Sequence, residues 1–214
     1  MSEATSDPFP VRLASAAFLI VDMQNDFVRE GAPLEVPDTR KTIAPILEVS
    51  EAFRKAARPV VYTRFVAGPR ETLLWKWSPQ IYPPVNCCRI GFHRRYQDLG
   101  AERECIAVVD ELAVQPGDFV VDKFGYGAFF RTNLIDILSA TGTDTVVIAG
   151  TVTQICVEET GRQSFHHGFR TVLLRDAVSS FDPELHAATL RNFAMKFGMV
   201  LDSGELLRRV RGSR

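Results

Sequence analysis

The sequence predicts an α/β fold, a doubly wound parallel sheet with helices on both faces. Three observations point there. Short runs such as residues 146–149 (VVIA) are apolar at every position, as strands covered on both faces must be. These runs alternate with segments of helical period. The chain of 214 residues, 46% hydrophobic and 24% charged, suffices for one full core, so residues 1–214 read as a single domain.

Residues 1–15 are polar and proline-containing, a surface lead-in. The first strand is 17–22 (AFLIVD), and 43–57 follows as a helix with Ile43, Ile46, Leu47, Phe53 and Ala57 on one face. Residues 59–65 (PVVYTRF) are β-branched and aromatic, a second strand. Residues 66–114 break the rhythm with Pro, Trp, Arg and Cys, and read as an irregular insertion near a ligand. The third strand is 118–122 (DFVVD). A helix over 133–140 puts Leu134, Ile137 and Leu138 on one face and stops at Gly142. Strand 145–149 comes next, then a helix over 156–167, then strand 171–174 (TVLL). Asp182, Pro183 and Glu184 supply a cap, a first-turn proline and a first-turn acid for a helix reaching about Phe197. The tail Arg208-Arg209-Val210-Arg211 reads as a short solvated basic end or an oligomer contact.

A net charge of −1 offers no field for nucleic acid and no polybasic membrane patch. The apolar run at 16–21 is too short to cross a bilayer and lacks a basic flank, so a cytoplasmic chain is expected. Cys87, Cys88, Cys105 and Cys156 make no CxxC pair. Cys87 and Cys88 beside His93 match no common zinc spacing, so reduced thiols and no metal are expected.

In an open parallel sheet, ligands bind outside the carboxyl ends of the strands. Three reactive side chains lie just past such ends: Asp22, Lys123 and Cys156. Singly, Asp22 could cap a turn, Lys123 could be a solvated cation and Cys156 a small core residue. Together they give an acid/base, a cation and a thiol on one sheet edge, the needs of a cysteine nucleophile. A thiol of pKa about 8.5 is mostly protonated at neutral pH. A helix N-terminus and an ammonium favour its anion, and a carboxylate can carry the proton to a leaving amine.

The segments VDMQNDF (21–27), Lys123-Phe124 after a strand, and GTVTQICVEET (150–160) resemble the isochorismatase-like cysteine hydrolase superfamily. The resemblance runs from about Ala17 to Leu201. It implies six parallel strands, a triad of Asp22, Lys123 and Cys156, and a cis peptide between Thr151 and Val152. That peptide would turn the N–H groups of Val152 and Cys156 toward an oxyanion. The resemblance also implies a homo-oligomer, dimer or tetramer; no cofactor is expected. Isochorismatases proper typically lack the cysteine, so Cys156 favours amide hydrolysis. Nicotinamidases carry a metal-binding Asp-x-His pattern after the second strand, where this chain has Tyr62-Thr63-Arg64-Phe65 and no histidine before His93. The expected substrate is a small amide, ureido or carbamoyl compound, cleaved at its C–N bond through a thioester. Isochorismatase-type and nicotinamidase-type chemistry are the alternatives within the family.

Candidates for contact with substrate are Phe27, Trp75, Tyr126, Phe129 and Gln154, with Trp77 beside them. Arg64, Lys76 and Arg95 are candidates for a substrate carboxylate, with surface solvation the blander reading. His166 and His167 end the helix begun at Cys156, roughly 15 Å from the sulfur, and His186 has no role. Two readings of another class compete. Cys156 could serve a thiol switch, given a resolving partner. A flavodoxin-like nucleotide module is disfavoured by the absence of a Walker A or GxGxxG turn.

Overall fold

The apolar runs become strands of one sheet in a computed structural model that describes residues 7–211. In chain order the elements are β1 (Ala16–Val21), α1 (Asn25–Val28), α2 (Ile43–Lys55), β2 (Val60–Phe65), α3 (Leu73–Trp77), β3 (His93–Tyr96) and β4 (Ala101–Glu104). They continue with β5 (Phe119–Lys123), α4 (Leu134–Ala140), β6 (Thr145–Thr151), α5 (Glu158–His166), β7 (Arg170–Ser179), α6 (Pro183–Lys196), β8 (Met199–Leu201) and α7 (Ser203–Arg211). Six strands lie in the order β5-β2-β1-β6-β7-β8, and every neighbouring pair is parallel. From β1 the chain winds outward through β2 and β5, then returns to the centre at β6 and winds the other way. The winding therefore reverses between β1 and β6, where ligands of such sheets bind.

Alternation along β1 splits the core into two layers. Phe18 and Ile20 pack with Tyr62 of β2, Phe53 of α2 and Leu206 and Val210 of α7. Leu19 and Val21 face Val61, Leu134 and Leu138 of α4 and Phe193 of α6. Each such fully buried side chain contributes about 1.5–3 kcal/mol. The central strands also close on each other at one end. Gly150 pairs with Val21, and its φ is +112°; a Cβ there would stand 2.0 Å from the Val21 carbonyl oxygen. Only glycine lets the two strand ends approach so nearly.

Several elements depart from the sequence reading. β8 has three residues, too few for a period to register, and supplies the sixth strand. The basic tail is not a solvated end: it belongs to α7, which buries Leu206, Leu207 and Val210, while Arg209 pairs with Glu205 and Asp7. The helix expected to start at Cys156 is preceded by a wide π turn over Thr153–Val157, and α5 begins at Glu158. On α2, Val49 takes the buried place expected of Leu47. The cap at Asp182 is present, its carboxylate accepting from the N–H groups of Glu184 and Leu185.

Residues 66–114 hold α3 and the β3–β4 hairpin and add no strand to the main sheet. They fasten to the loop after β1 through buried polar side chains. Asn25 donates to the Glu104 carbonyl at 3.0 Å. The buried Asp26 carboxylate accepts from the Tyr96 hydroxyl (2.7 Å), the Cys88 N–H (3.0 Å) and Arg94 Nε (3.1 Å). Cys87, Cys88 and Cys105 are buried and unbridged nearby.

Candidate active site

Asp22, Lys123 and Cys156 meet at the reversal point, each carried there by a strand end. Asp22 leaves β1 with φ of +51°, in the left-handed region that aspartate tolerates. Two contacts with Thr63 of β2 hold it: the Asp22 N–H donates to Thr63 Oγ1 at 3.2 Å, and that hydroxyl donates to Asp22 Oδ1 at 2.6 Å. The other oxygen, Oδ2, stands 2.7 Å from Lys123 Nζ, and both side chains are fully buried. Lys123 donates an aligned hydrogen bond to the Gly125 carbonyl at 3.0 Å and lies 5.3 Å from the Phe65 ring centre. Beyond the ammonium, no protein donor reaches Asp22 Oδ2 among the described residues. Cys156, 5% exposed, lies near enough to both for each charge to act on its thiol.

Opposing influences meet at the sulfur. Burial pushes the Cys156 thiol up to about 12, and the Asp22 charge adds to this, while Lys123 only partly opposes it. Burial at the sulfur thus opposes the helix start and the ammonium, which favour its anion. For Lys123, burial works toward a neutral amine, but the neighbouring Asp22 and Cys156 outweigh it and hold the ammonium above its ordinary range. The arrangement suits a carboxylate that takes the thiol proton as the sulfur attacks.

The motif after β1 does more than carry the acid. The Gln24 side chain donates to the Phe65 carbonyl at 2.9 Å and accepts from the Phe65 N–H at 2.6 Å, tying the loop to the end of β2. With Asn25 and Asp26 it binds the loop on two sides. Sequence reasoning missed Thr63, Gln24, Asn25 and Asp26. For the last three the signal was available, since a run of polar residues straight after a buried strand needs partners. The nucleophile loop has the cis peptide at Thr151-Val152. His186, given no role above, supports this loop: its ring shares a 2.9 Å hydrogen bond with Thr153 Oγ1, which also donates to the Ser179 carbonyl.

Cys156 opens onto a cavity of about 440 Å³ lined by Phe27, Leu34, Val36, Phe65, Trp77, Ser78, Gln80, Tyr126, Val152, Ile155 and Phe181. Of the proposed contact residues, Phe27, Tyr126 and the exposed Trp77 line it. Trp75 does not: it is buried against Tyr82 and Arg89. Phe129 stacks on His167 inside the α4 side of the core, and Gln154 borders a different surface depression, with Glu158 and Arg162, its amide buried without a hydrogen-bond partner among the described residues. Arg64 is held by Asp122 at 2.7 and 2.9 Å and Lys76 by Glu71 at 2.6 Å, while Arg95 is exposed on the hairpin. His93 is exposed there too, bonded to the Gly91 carbonyl. Among the described residues no group of three or more His, Cys, Asp or Glu side chains converges to hold a metal ion.

A doubly wound parallel sheet with a cysteine, a lysine and an aspartate joined at its reversal point defines a hydrolase-type α/β scaffold built around a thiol. The isochorismatase domain pattern matches residues 16–205, and the chain belongs to that family. A ureidoacrylate amidohydrolase RutB of Rhizobium rhizogenes is 32% identical over 208 residues, which cover 92% of this chain and 84% of that protein. Nicotinamidase 3 of Arabidopsis thaliana is 30% identical over 200 residues, 92% of this chain and 90% of the relative. A cysteine hydrolase from Pseudomonas syringae pv. phaseolicola superposes with a TM-score of 0.86 at 25% identity, each chain covered completely.

Proposed function

We propose that this chain is a cysteine amidohydrolase that cleaves the C–N bond of a small amide, ureido or carbamoyl compound through a thioester. The observation that carries the reading is the buried Asp22–Lys123 pair set against a thiol that opens onto an apolar cavity. Cys156 attacks the carbonyl carbon as its proton passes to Asp22, which Lys123 holds in place through their ion pair. The tetrahedral oxyanion is received by the N–H groups of Val152 and Cys156. Asp22 returns the proton to the departing nitrogen, and the C–N bond breaks. Water then attacks the thioester, Asp22 accepts its proton, and the sulfur leaves as the thiol when that proton is handed back.

Support comes from the relative that is a ureidoacrylate amidohydrolase. The similarity to a nicotinamidase favours a second reading, with nicotinamide as substrate. The metal that the Asp-x-His pattern would hold has no matching set of side chains here, so no step is routed through one. A cytoplasmic, reducing setting suits four unbridged cysteines, and assembly as a dimer or tetramer belongs to the same reading.

An ammonia-release screen of small amides, ureides and carbamoyl acids, nicotinamide included, tests the proposal. Wild type should release ammonia from at least one, and Cys156→Ala and Cys156→Ser should keep their fold and lose turnover. Undiminished turnover by Cys156→Ala would end the amidohydrolase reading. Release from nicotinamide alone would favour the second reading.

A further inference from the structure

We infer that the cavity selects uncharged amides with an apolar body and turns away those bearing a carboxylate. This rests on the amidohydrolase reading for the reacting end of the ligand and goes beyond it for the rest. The cavity wall combines two kinds of side chain. Phe27, Phe65, Ile155 and Phe181 make most of it apolar. Ser78, Gln80 and Tyr126 are its polar members; all three are neutral, and none of their side chains bonds to the protein among the described residues. They are free to receive a carbonyl, hydroxyl or second amide of a ligand.

No cation lines the cavity among the described residues. Of the three candidates for a carboxylate, Arg64 is spent on Asp122 and Lys76 on Glu71, Arg95 stands exposed on the hairpin away from the lining, and Lys123 is held by Asp22 beneath the thiol. A carboxylate taken into such a space loses its hydration and finds no partner, whereas a neutral polar group exchanges water for Ser78, Gln80 or Tyr126. The wall thus sets this chain apart from a relative whose named substrate, ureidoacrylate, is an acid.

The test uses matched probes that differ in the charged group: maleamate against its methyl ester, and succinamate against pentanamide. Binding to the Cys156→Ala protein is measured by calorimetry, and ammonia release is followed with wild type. The neutral member of each pair should bind at least about tenfold more tightly, a difference of roughly 1.4 kcal/mol. Adding Gln80→Arg to the Cys156→Ala protein should place a cation on the wall and erase or reverse that preference. Equal or tighter binding of the carboxylates by Cys156→Ala overturns the inference, and so does failure of both neutral probes to bind. The amidohydrolase reading is judged separately by ammonia: wild type that cleaves only the carboxylates keeps that reading and loses the charge preference. Neutral probes that bind as expected with no probe cleaved do the opposite.

Discussion

Replacing Lys123 by methionine removes one charge of a fully buried pair and leaves the other. At an effective dielectric of about 20, unit charges 2.7 Å apart attract by about 6 kcal/mol. Part of that attraction offsets the desolvation of the pair, so the expected loss of stability is about 3–5 kcal/mol, the range for breaking a buried ion pair. For a chain of this size that corresponds to a melting temperature lower by about 6–20 °C. Adding Asp22→Asn takes away the stranded charge while keeping an acceptor for the Thr63 hydroxyl. The double variant should therefore recover to within about 2 kcal/mol of wild type. Chemical denaturation of the four proteins at neutral pH measures the cycle. Both variants should lack ammonia release, which separates the pair's catalytic part from its structural one. A single variant that costs under about 1 kcal/mol, or a double variant no more stable than the single, would refute the claim that the two groups form a desolvated ion pair.

Three further outcomes follow from the same geometry. Gly150→Ala should cost more than about 4 kcal/mol or fail to fold, because its Cβ would stand 2.0 Å from the Val21 carbonyl oxygen; a soluble variant of unchanged melting temperature would contradict the strand contact. Asp26→Ala should destabilise by about 3–5 kcal/mol and speed proteolytic cleavage within residues 66–114, since Tyr96, Cys88 and Arg94 all bond to that carboxylate; an unaltered cleavage pattern would count against the anchor. Burial raises the thiols of Cys105 and Cys156 to about 12 in the fold, against about 8.5 in an unfolded chain, so the folded state holds these protons more tightly. Their contribution is whole below pH 8.5 and is lost as pH rises toward 12. Each should weaken the fold by about 2–3 kcal/mol near pH 10.5, and a melting temperature flat from pH 8 to 11 would show that these thiols ionise freely.

Much of this molecule was legible because burial on two faces leaves a mark on sequence. β1, β6 and the first half of β7 are largely apolar runs of strand length, β2 and the edge strand β5 are β-branched and aromatic runs, and each was placed within a few residues. The three reactive side chains were found because chemistry in such sheets gathers at strand ends, and Asp22, Lys123 and Cys156 occupy three of them. What escaped was set by tertiary context. β8 is three residues long and carries no period. The helix α7 hides its apolar positions among arginines, so a buried seam looked like a solvated tail. Trp75, Phe129 and Gln154 were chosen for side-chain type and nearness along the chain, whereas which aromatic reaches a cavity depends on how the insertion folds back. The burial of Cys156 was not legible for a related reason: helix start and ammonium are visible in sequence, but the depth that opposes them is not.

The seven residues from Val21 to Phe27 join two tasks that proteins often keep apart. Asp22 pairs with Lys123 beside the thiol, Asn25 and Asp26 peg down the segment that walls the cavity, and Phe27 is part of that wall. Exchanging residues 66–114 for a differently shaped wall would therefore succeed only where the new segment offers groups for the same pegs. A wall that rocks on them would pull on the short tether that ends at the acid. Selectivity and turnover should accordingly drift together, not separately, when this segment is re-engineered.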